Sequence, residues 1–517
     1  MMETMTEAVA RQARDRPTAT AFICGTIRLT WREVGFWVEQ AAGWLIALGL
    51  PRGAQILGWL PNCVEWYLLR LACERSGLLW IPVPTSQGKR ELACIIDGVC
   101  PAVLVTKAHF RNRDVTAEID EICRQCGSQP VRVTIPDERL LRLEGPIADE
   151  SIALRLDEMA HALSTSGSEG SPKLALYTLA AACKRGHAQA GLLRLTTEDI
   201  ILVLSPGTGP AKPAWLAAPV AGSCVVAMPV FETDAALNLI QRERITVVCG
   251  TPSQLAMLAA KLESTDTSSV RIWYAAGSVL PPTLAEDLVE AGTRGIVVST
   301  YGGTDFGGWA APDLDDPPAV RHHTVGKPRG DTEFRIIDSE GHDVPHGEVG
   351  ELIGRGPCCA SGFLGEQGRD RWRDGWFHTG DLASLDDTGN LVIVGRLKEV
   401  IIRGGDKVNP TEVEALLRTH HEIAQVAVIG VSDPVLGERI CACVVPSKDG
   451  SAIDLETVRQ RLRSQGLAHY KAPERLVILD SLPVVGDKVD RRALAALAAQ
   501  NSKALYDPRT TTTGVVL

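Results

Sequence analysis

The chain has 517 residues, 45 % of them hydrophobic and 22 % charged, and at roughly 150 residues per domain it has room for two to four domains. Its 53 basic and 63 acidic residues leave a formal net charge of −10. That balance disfavours non-specific binding to nucleic acid or to an anionic membrane, while small phosphate sites, which are built locally, stay open.

In chain order, residues 1–15 alternate charged and apolar side chains and carry no apolar signal core. Thr30 has the chemistry of a helix N-cap, Glu33 completes a capping box, and Leu29 and Val34 sit at the staple positions. Val34, Trp37, Val38, Ala41, Leu45 and Leu48 then form one apolar stripe at helical spacing, ended by Gly49. Its aromatic residues read as core. Cys123 and Cys126 form a Cys-x-x-Cys, but no second pair has metal-ligand spacing. The 14 cysteines therefore read as small buried thiols of a reducing compartment. The apolar runs 200–204, 224–228, 246–249 and 295–299, separated by helical stretches, predict a parallel sheet with crossover helices. The longest weakly polar stretch, 216–231, is interrupted by Pro219, Gly222, Ser223 and Pro229. It is also shorter than the roughly 20 residues of a membrane span. A cytoplasmic enzyme with neither nucleic-acid nor membrane partners is the expectation.

Past residue 310 the strands shorten. Segments 333–337, 350–354 and 391–394, with a hairpin turn at Asp387-Thr388-Gly389-Asn390, predict a β-rich subdomain. From residue 398 another α/β unit begins. Asn409 caps a helix, Pro410 takes its first position, Glu412 closes a capping box, and Val413, Leu416 and Leu417 form its buried stripe. Strands at 426–430 and 441–445 follow. The expected fold is α/β: a large N-terminal domain, 1–397, of parallel and mixed sheets with helices plus the β-rich part, then a small α+β domain, 398–517. The last stretch, 507–517, reads as a loose tail.

Five segments carry chemistry. Ser164-Thr165-Ser166-Gly167-Ser168-Glu169-Gly170-Ser171-Pro172-Lys173 combines glycines, hydroxyls and a lysine, the materials of an anion-holding loop, without Walker A spacing. A flexible connector has the same composition. Ser299-Thr300-Tyr301-Gly302-Gly303-Thr304-Asp305 follows a predicted strand and ends in a carboxylate suited to Mg²⁺ or to a capping turn. The others are Gly375-Trp376-Phe377-His378-Thr379-Gly380-Asp381, the run from Gly395-Arg396-Leu397-Lys398 to Arg403-Gly404-Gly405-Asp406-Lys407-Val408, and Leu482-Pro483-Val484-Val485-Gly486-Asp487-Lys488-Val489-Asp490-Arg491. Taken singly, Asp381 is a turn residue and Lys488 a solvated charge.

In this order the five segments resemble the adenylate-forming ligase superfamily, which includes acyl- and aryl-CoA synthetases, non-ribosomal adenylation domains and luciferases. The similarity runs from Leu29-Thr30-Trp31 through Leu60-Pro61-Asn62 to Lys488. It implies an ATP- and Mg²⁺-dependent enzyme that adenylates a carboxylic acid and transfers the acyl group to the pantetheine thiol of CoA or a carrier protein. Under that resemblance Thr165, Ser166, Gly167, Ser168, Gly170 and Lys173 embrace the ATP β/γ-phosphates. Tyr301 stacks on adenine, Thr304 bonds a phosphate oxygen, and Asp305 is the metal ligand. Asp381 takes the ribose hydroxyls with Arg396 beside it. Lys398 is near the hinge of a mobile small domain, Gly404 and Gly405 line a thiol tunnel, and Lys488 bridges the substrate carboxylate and the α-phosphate.

Three departures stand out. Glu169 occupies a phosphate-loop position usually held by Thr. Asp305 stands where the family has Glu. The segment 204–213 replaces a His followed by an aromatic or Asn at the border of the acid pocket. There Lys212 reads either as a surface lysine or as a partner for an acidic or hydroxylated substrate. The small stretch Ala275-Ala276-Gly277-Ser278, with Gly207 and Gly302, leaves room for a flat ring. The segments 311–317, 326–328 and 403–408 are similar to aryl-acid ligases. An amine acceptor, or a degenerate regulatory protein that binds nucleotide without turnover, are the alternatives.

Overall fold

The first long helix, Trp31–Ala47, starts as its cap residues dictate. Thr30 Oγ1 accepts from the Glu33 backbone N–H at 3.3 Å, and Glu33 Oε2 accepts from the Thr30 N–H at 2.8 Å. Leu29 and Val34 are both buried, as a staple requires. The stripe is buried through Leu45, whereas Leu48, at the C-cap, is only half-buried. The computed structural model describes the chain outside residues 1, 86, 137–139, 146–153, 165–172, 206–208, 263–264, 292–294, 305, 366–368, 404–405, 434, 448–452, 486–487 and 501–517, and only the backbone at 369, 407, 485, 488 and 500.

Two large sheets organise the first three hundred residues. One has nine strands, in the order Lys327–Arg329, Trp309–Ala311, Ile296–Gly302, Ile272–Ala276, Val247–Gly250, Ile200–Val203, Cys224–Ala227, Thr20–Cys24, Ile27–Thr30. From Ile296–Gly302 to Thr20–Cys24 every pair is parallel. The four apolar runs read from sequence thus lie in one parallel sheet, with Ile272–Ala276 between the last of them and the other three, connected by crossover helices. The other sheet has seven strands: Gly362–Leu364, Leu174–Thr178, Met159–Ser164, Leu79–Pro84, Gln55–Leu60, Val103–Lys107 and Val131–Ile135.

One large core cluster draws on both sheets and on the helices Trp31–Ala47, Val64–Ser76 and Leu179–Leu192. Alternation along the strands decides which residues enter it. Val247, Cys249, Ile272, Tyr274 and Ala276 point into this cluster. Val248, Trp273 and Ala275 point the other way, to a cluster shared with the helices Thr233–Arg242, Pro252–Ala259 and Pro282–Glu290.

A third sheet contains Glu333–Ile337, Gly350–Arg355, Trp376–Leu385 and Trp372–Arg373, with Leu391–Arg396 paired to Trp376–Leu385. The predicted turn before Leu391 is closed by Asp386, whose carboxylate accepts from the Thr388 and Asn390 backbones. The last sheet contains Asp406–Val408, Ile401–Arg403, Gly437–Pro446 and Ile423–Asp433, with Arg475–Ile478 along Gly437–Pro446. By contacts the chain divides into two compact units. The first comprises Met1–Arg335, Ile353–Thr379 and Asp386–Val392; the second comprises Ile336–Leu352, Gly380–Leu385 and Ile393–Leu517.

One expected capping box is not formed. Asn409 does cap Pro410–Arg418, accepting from the Thr411 N–H at 3.0 Å. Glu412 turns away from the cap to pair with Lys471 at 2.8 Å. A full charge brought up by tertiary structure outcompetes a backbone N–H for the same carboxylate. Eleven of the 14 cysteines are buried, and all 14 are free. No helix among the described residues is long and apolar enough to cross a membrane.

Candidate active site

In the first unit, Met159–Ser164 and Leu174–Thr178 pair antiparallel, with Ser164 opposite Leu174. The Ser/Gly-rich segment joins these paired ends. Thr165, Ser166, Gly167, Ser168, Glu169 and Gly170 lie outside the described residues. Lys173 is described and half-buried, immediately before Leu174. The hairpin therefore fixes both ends of the segment expected to hold phosphates.

Tyr301 and Gly302 end the strand Ile296–Gly302, where the chain folds back so that Tyr301 lies opposite Ala310 and Gly302 opposite Trp309. Glycine is required at 302: a Cβ there would sit 2.8 Å from the Gly308 carbonyl oxygen and 3.2 Å from Trp309 Cβ. The Tyr301 ring meets Phe334 edge-on, centroids 6.1 Å apart. Thr304 is held from beneath: its carbonyl accepts from Tyr177 Oη at 2.6 Å. The Tyr177 ring stacks on His161, with centroids 4.9 Å apart and planes within 17°. Asp305 is outside the described residues.

The parallel strands end side by side, with Ala276 in register with Thr300. Ligands of open α/β sheets bind beyond such carboxyl ends. Ala276 is buried, and Gly277 takes φ +99°, which favours glycine. A Cβ on Gly277 would lie 3.9 Å from Pro210, so the replaced segment does reach this place. Gly207 is outside the described residues. Lys212 is 6 % exposed, which overturns the surface-lysine reading. Its neighbours Pro213–Ala217 form one π-helical turn, entirely buried. Trp215 within it meets His161 edge-on, centroids 5.1 Å apart. Burial, first, and then the charges of Arg70, Arg185 and Lys212 hold the His161 imidazole well below its usual pKa, and thus neutral.

Sequence reasoning missed a polar group on this wall. Arg185 and Gln189 belong to the helix Leu179–Leu192 and are 5 % and 2 % exposed. Gln189 Nε2 donates to Tyr274 Oη at 3.0 Å, and Tyr274 Oη bonds Thr300 Oγ1 at 2.9 Å. Burial pushes the Tyr274 phenol up to about 12 and Cys359 up to about 12, and raises Cys358 as well. The signal available in sequence was the helix's own composition. Small residues crowd it, and a Cβ on Gly186 would lie 2.6 Å from the Leu216 carbonyl oxygen. A helix packed that closely buries whatever charge it carries.

In the second unit, Asp381 and Arg396 face each other from paired strands, Arg396 Nε donating to Asp381 Oδ1 at 2.9 Å. Asp381 follows Gly380, whose N–H donates to Glu351 Oε1 at 3.2 Å. Lys398 is exposed within the short helical turn Leu397–Glu399. Ile401–Arg403 and Asp406–Val408 pair with Arg403 opposite Asp406; Gly404 and Gly405, between them, lie outside the described residues. Lys488 stands in a small hairpin opposite Val485. Its side chain is outside the described residues.

With the geometry in hand, comparison with known proteins is decisive. Residues 9–364 match the AMP-binding enzyme family, and residues 412–486 match the AMP-binding enzyme C-terminal domain. The chain belongs to the AMP-binding enzyme family. It is an AMP-forming ligase that uses ATP. Among its relatives is a 2-hydroxy-7-methoxy-5-methyl-1-naphthoate–CoA ligase from Streptomyces carzinostaticus, 32 % identical over 96 % of this chain and 93 % of the relative. Among solved structures, ATP-bound MatB from Rhodopseudomonas palustris is 25 % identical with a TM-score of 0.85, covering 95 % of this chain and 98 % of that one. The amide bond synthetase McbA from Marinactinospora thermotolerans is 26 % identical with a TM-score of 0.81, covering 95 % and 99 %. The family architecture of mixed sheets followed by a smaller C-terminal domain is the one seen here.

Proposed function

We propose that this AMP-binding enzyme adenylates an aryl carboxylic acid and passes the acyl group to the pantetheine thiol of CoA or of a carrier protein. The observation that carries the reading is the small side chains at the carboxyl ends of the parallel strands. Ala276 is in register with Thr300, Gly277 follows it, and Tyr301 ends the adjacent strand. Small residues beside an aromatic ring suit a flat acid lying next to a purine. The naphthoate specificity in the name of the Streptomyces carzinostaticus relative supports the same class.

In this reading an oxygen of the acid attacks the α-phosphorus of ATP and pyrophosphate leaves. The thiol then attacks the acyl carbonyl and AMP leaves. Lys488 neutralises charge developing at the α-phosphate in the first step. The segment with Thr165, Ser166, Gly167, Ser168, Gly170 and Lys173 holds the outgoing phosphates, Tyr301 stacks on adenine, and Thr304 bonds a phosphate oxygen. Asp381 holds the ribose with Arg396 fixing its orientation. Asp305 and the adjacent Thr304 hydroxyl are oxygen donors of the kind Mg²⁺ takes, and the ion when bound adds positive charge at the phosphates. Rotation of residues 398–517 about Lys398 exchanges Lys488 for the Gly404–Gly405 segment between the half-reactions. Lys212, Gly207, Ala276, Gly277 and Gly302 border the acid.

ATP–pyrophosphate exchange over a panel of aryl and alkyl acids tests the first step. Exchange stimulated by aryl acids supports the reading; folded protein with Mg²⁺ that exchanges with no acid refutes it. Similarity to an amide bond synthetase favours one second reading, an amine acceptor. Mass spectrometry of products formed with CoA, holo-carrier protein or amines separates the two.

A further inference from the structure

The strand Trp376–Leu385, which carries Asp381, is irregular where it approaches that residue. In a regular strand the carbonyls of successive residues point to opposite edges. Here the carbonyls of His378 and Thr379 both accept from one guanidinium. Arg371 Nε donates to the His378 oxygen at 3.0 Å, and Nη2 donates to the same oxygen at 2.8 Å and to the Thr379 oxygen as well. The next residue, Gly380, takes φ +67°, the left-handed conformation that favours glycine. Two carbonyls gathered on one side and then a left-handed residue turn the chain locally. An interruption of this kind in a strand re-aims the side chain beside it. That side chain is the Asp381 carboxylate, 13 % exposed.

The guanidinium itself is seated on buried rings. It lies over Phe377, 4.8 Å from the ring centroid. Phe377 is buried and stacks on Phe306, with centroids 5.2 Å apart and planes within 9°. Phe306 adjoins Phe334 at 5.9 Å, and Phe334 is the ring that Tyr301 meets edge-on. The aromatic column that carries Tyr301 therefore also carries Arg371. A planar fork of N–H donors suits two neighbouring carbonyls in a way that a lysine ammonium does not, and its charge strengthens each bond. We infer that Arg371 is a positioning residue for nucleotide binding: it sets the backbone from which Asp381 reaches the ribose hydroxyls. The inference rests on the ribose-holding role proposed for Asp381 above.

The test is calorimetric titration of the full chain with ATP and with 2′-deoxy-ATP, each with Mg²⁺ and without any acid. The wild-type protein should bind ATP roughly 10–100-fold more tightly, because the deoxy nucleotide leaves a carboxylate oxygen without its hydroxyl. Arg371→Met should bring that ratio toward one by weakening ATP more than 2′-deoxy-ATP. A merely structural role would weaken both nucleotides alike, or neither. Arg371→Lys keeps the charge and the stem over Phe377 but loses the fork, so its ratio should fall between the two; it decides the matter if Arg371→Met does not fold. Adding Arg371→Met to Asp381→Asn should cost no more ATP affinity than Asp381→Asn alone, since residues acting through one another are not additive. A wild-type ratio in the folded Arg371 variants overturns the inference, and so do additive losses in the double variant. Equal binding of both nucleotides by the wild-type protein refutes the ribose role of Asp381 and the inference with it. Failure of pyrophosphate exchange with every acid refutes acid adenylation instead, and leaves the nucleotide titrations to decide Arg371.

Discussion

The Arg396 guanidinium donates to the Asp381 carboxylate at 2.9 Å, across the paired strands Trp376–Leu385 and Leu391–Arg396. Asp381 is shielded and Arg396 half-exposed, at 13 % and 47 % of their side-chain surfaces. An ion pair with one partner in water contributes little to stability, at most about 1 kcal/mol. Its value is orientation: the guanidinium fixes the direction of the carboxylate.

Asp381→Asn should therefore separate binding from folding. Replacing a charged acceptor by an amide weakens a hydrogen bond to a hydroxyl, and KM for ATP should rise roughly 10–100-fold. The denaturation midpoint should move little. Exchange kinetics and urea melts check the two halves. A large loss of stability with unchanged KM would reassign Asp381 to a structural role.

Tyr177→Phe removes the donor that pins the Thr304 carbonyl at 2.6 Å. A buried hydrogen bond lost from one side costs about 1–3 kcal/mol, to be read from denaturant unfolding. Because Thr304 precedes Asp305, KM for ATP should rise as well. Normal ATP kinetics in a destabilised variant would confine Tyr177 to the core.

Lys488→Ala should slow adenylation by on the order of 10²–10³-fold, the usual cost of one donor to a developing oxyanion. Thioester formation from supplied acyl-adenylate should continue. Equal loss of both half-reactions would contradict the role given to Lys488.

Asp199 supplies a pH-dependent term. Burial alone would raise its pKa, but hydrogen bonds from Arg271, Thr246 and the Thr196 N–H outweigh it and hold the carboxyl below its ordinary 3.8. A depressed folded-state pKa stabilises the fold at pH values above the unfolded one, and that contribution is lost as pH falls through the folded value. Asp199→Asn should be less stable than the wild type at pH 7, and the gap should close below about pH 4, the unfolded aspartate value. Urea melts from pH 7 down to 3 measure it. A gap that does not vary with pH would exclude the carboxylate as its source.

Local chemistry was legible in the sequence, and long-range chemistry was not. The Thr30–Glu33 box and the four apolar runs needed only neighbours three residues away or an unbroken apolar stretch. The motif residues Tyr301, Thr304, Asp381 and Arg396 stood out because they sit in short segments with distinctive glycine spacing. Glu412 was assigned to a cap because nothing nearby announces Lys471, 59 residues later. Lys212 had two readings because its burial depends on the π-helical turn beyond it and on Trp215 reaching His161. Arg185, inside Lys184-Arg185-Gly186-His187, looks like part of a charged solvent face. Only the packing of the two sheets around that helix shows that Lys184 points out, toward Asp331 at 3.4 Å, and Arg185 in.

The paired thiols Cys358 and Cys359 acquire a chemical meaning in an adenylating enzyme. An acyl-adenylate is a strong acylating agent, and a thiolate is the nucleophile it is made to meet. Thiolate, not thiol, is the reactive form, and desolvation pushes Cys359 up to about 12 and raises Cys358. At neutral pH both are protonated and shut away from solvent. The fold thereby keeps these two sulfurs from competing with the incoming thiol, and burial alone spares them self-acylation.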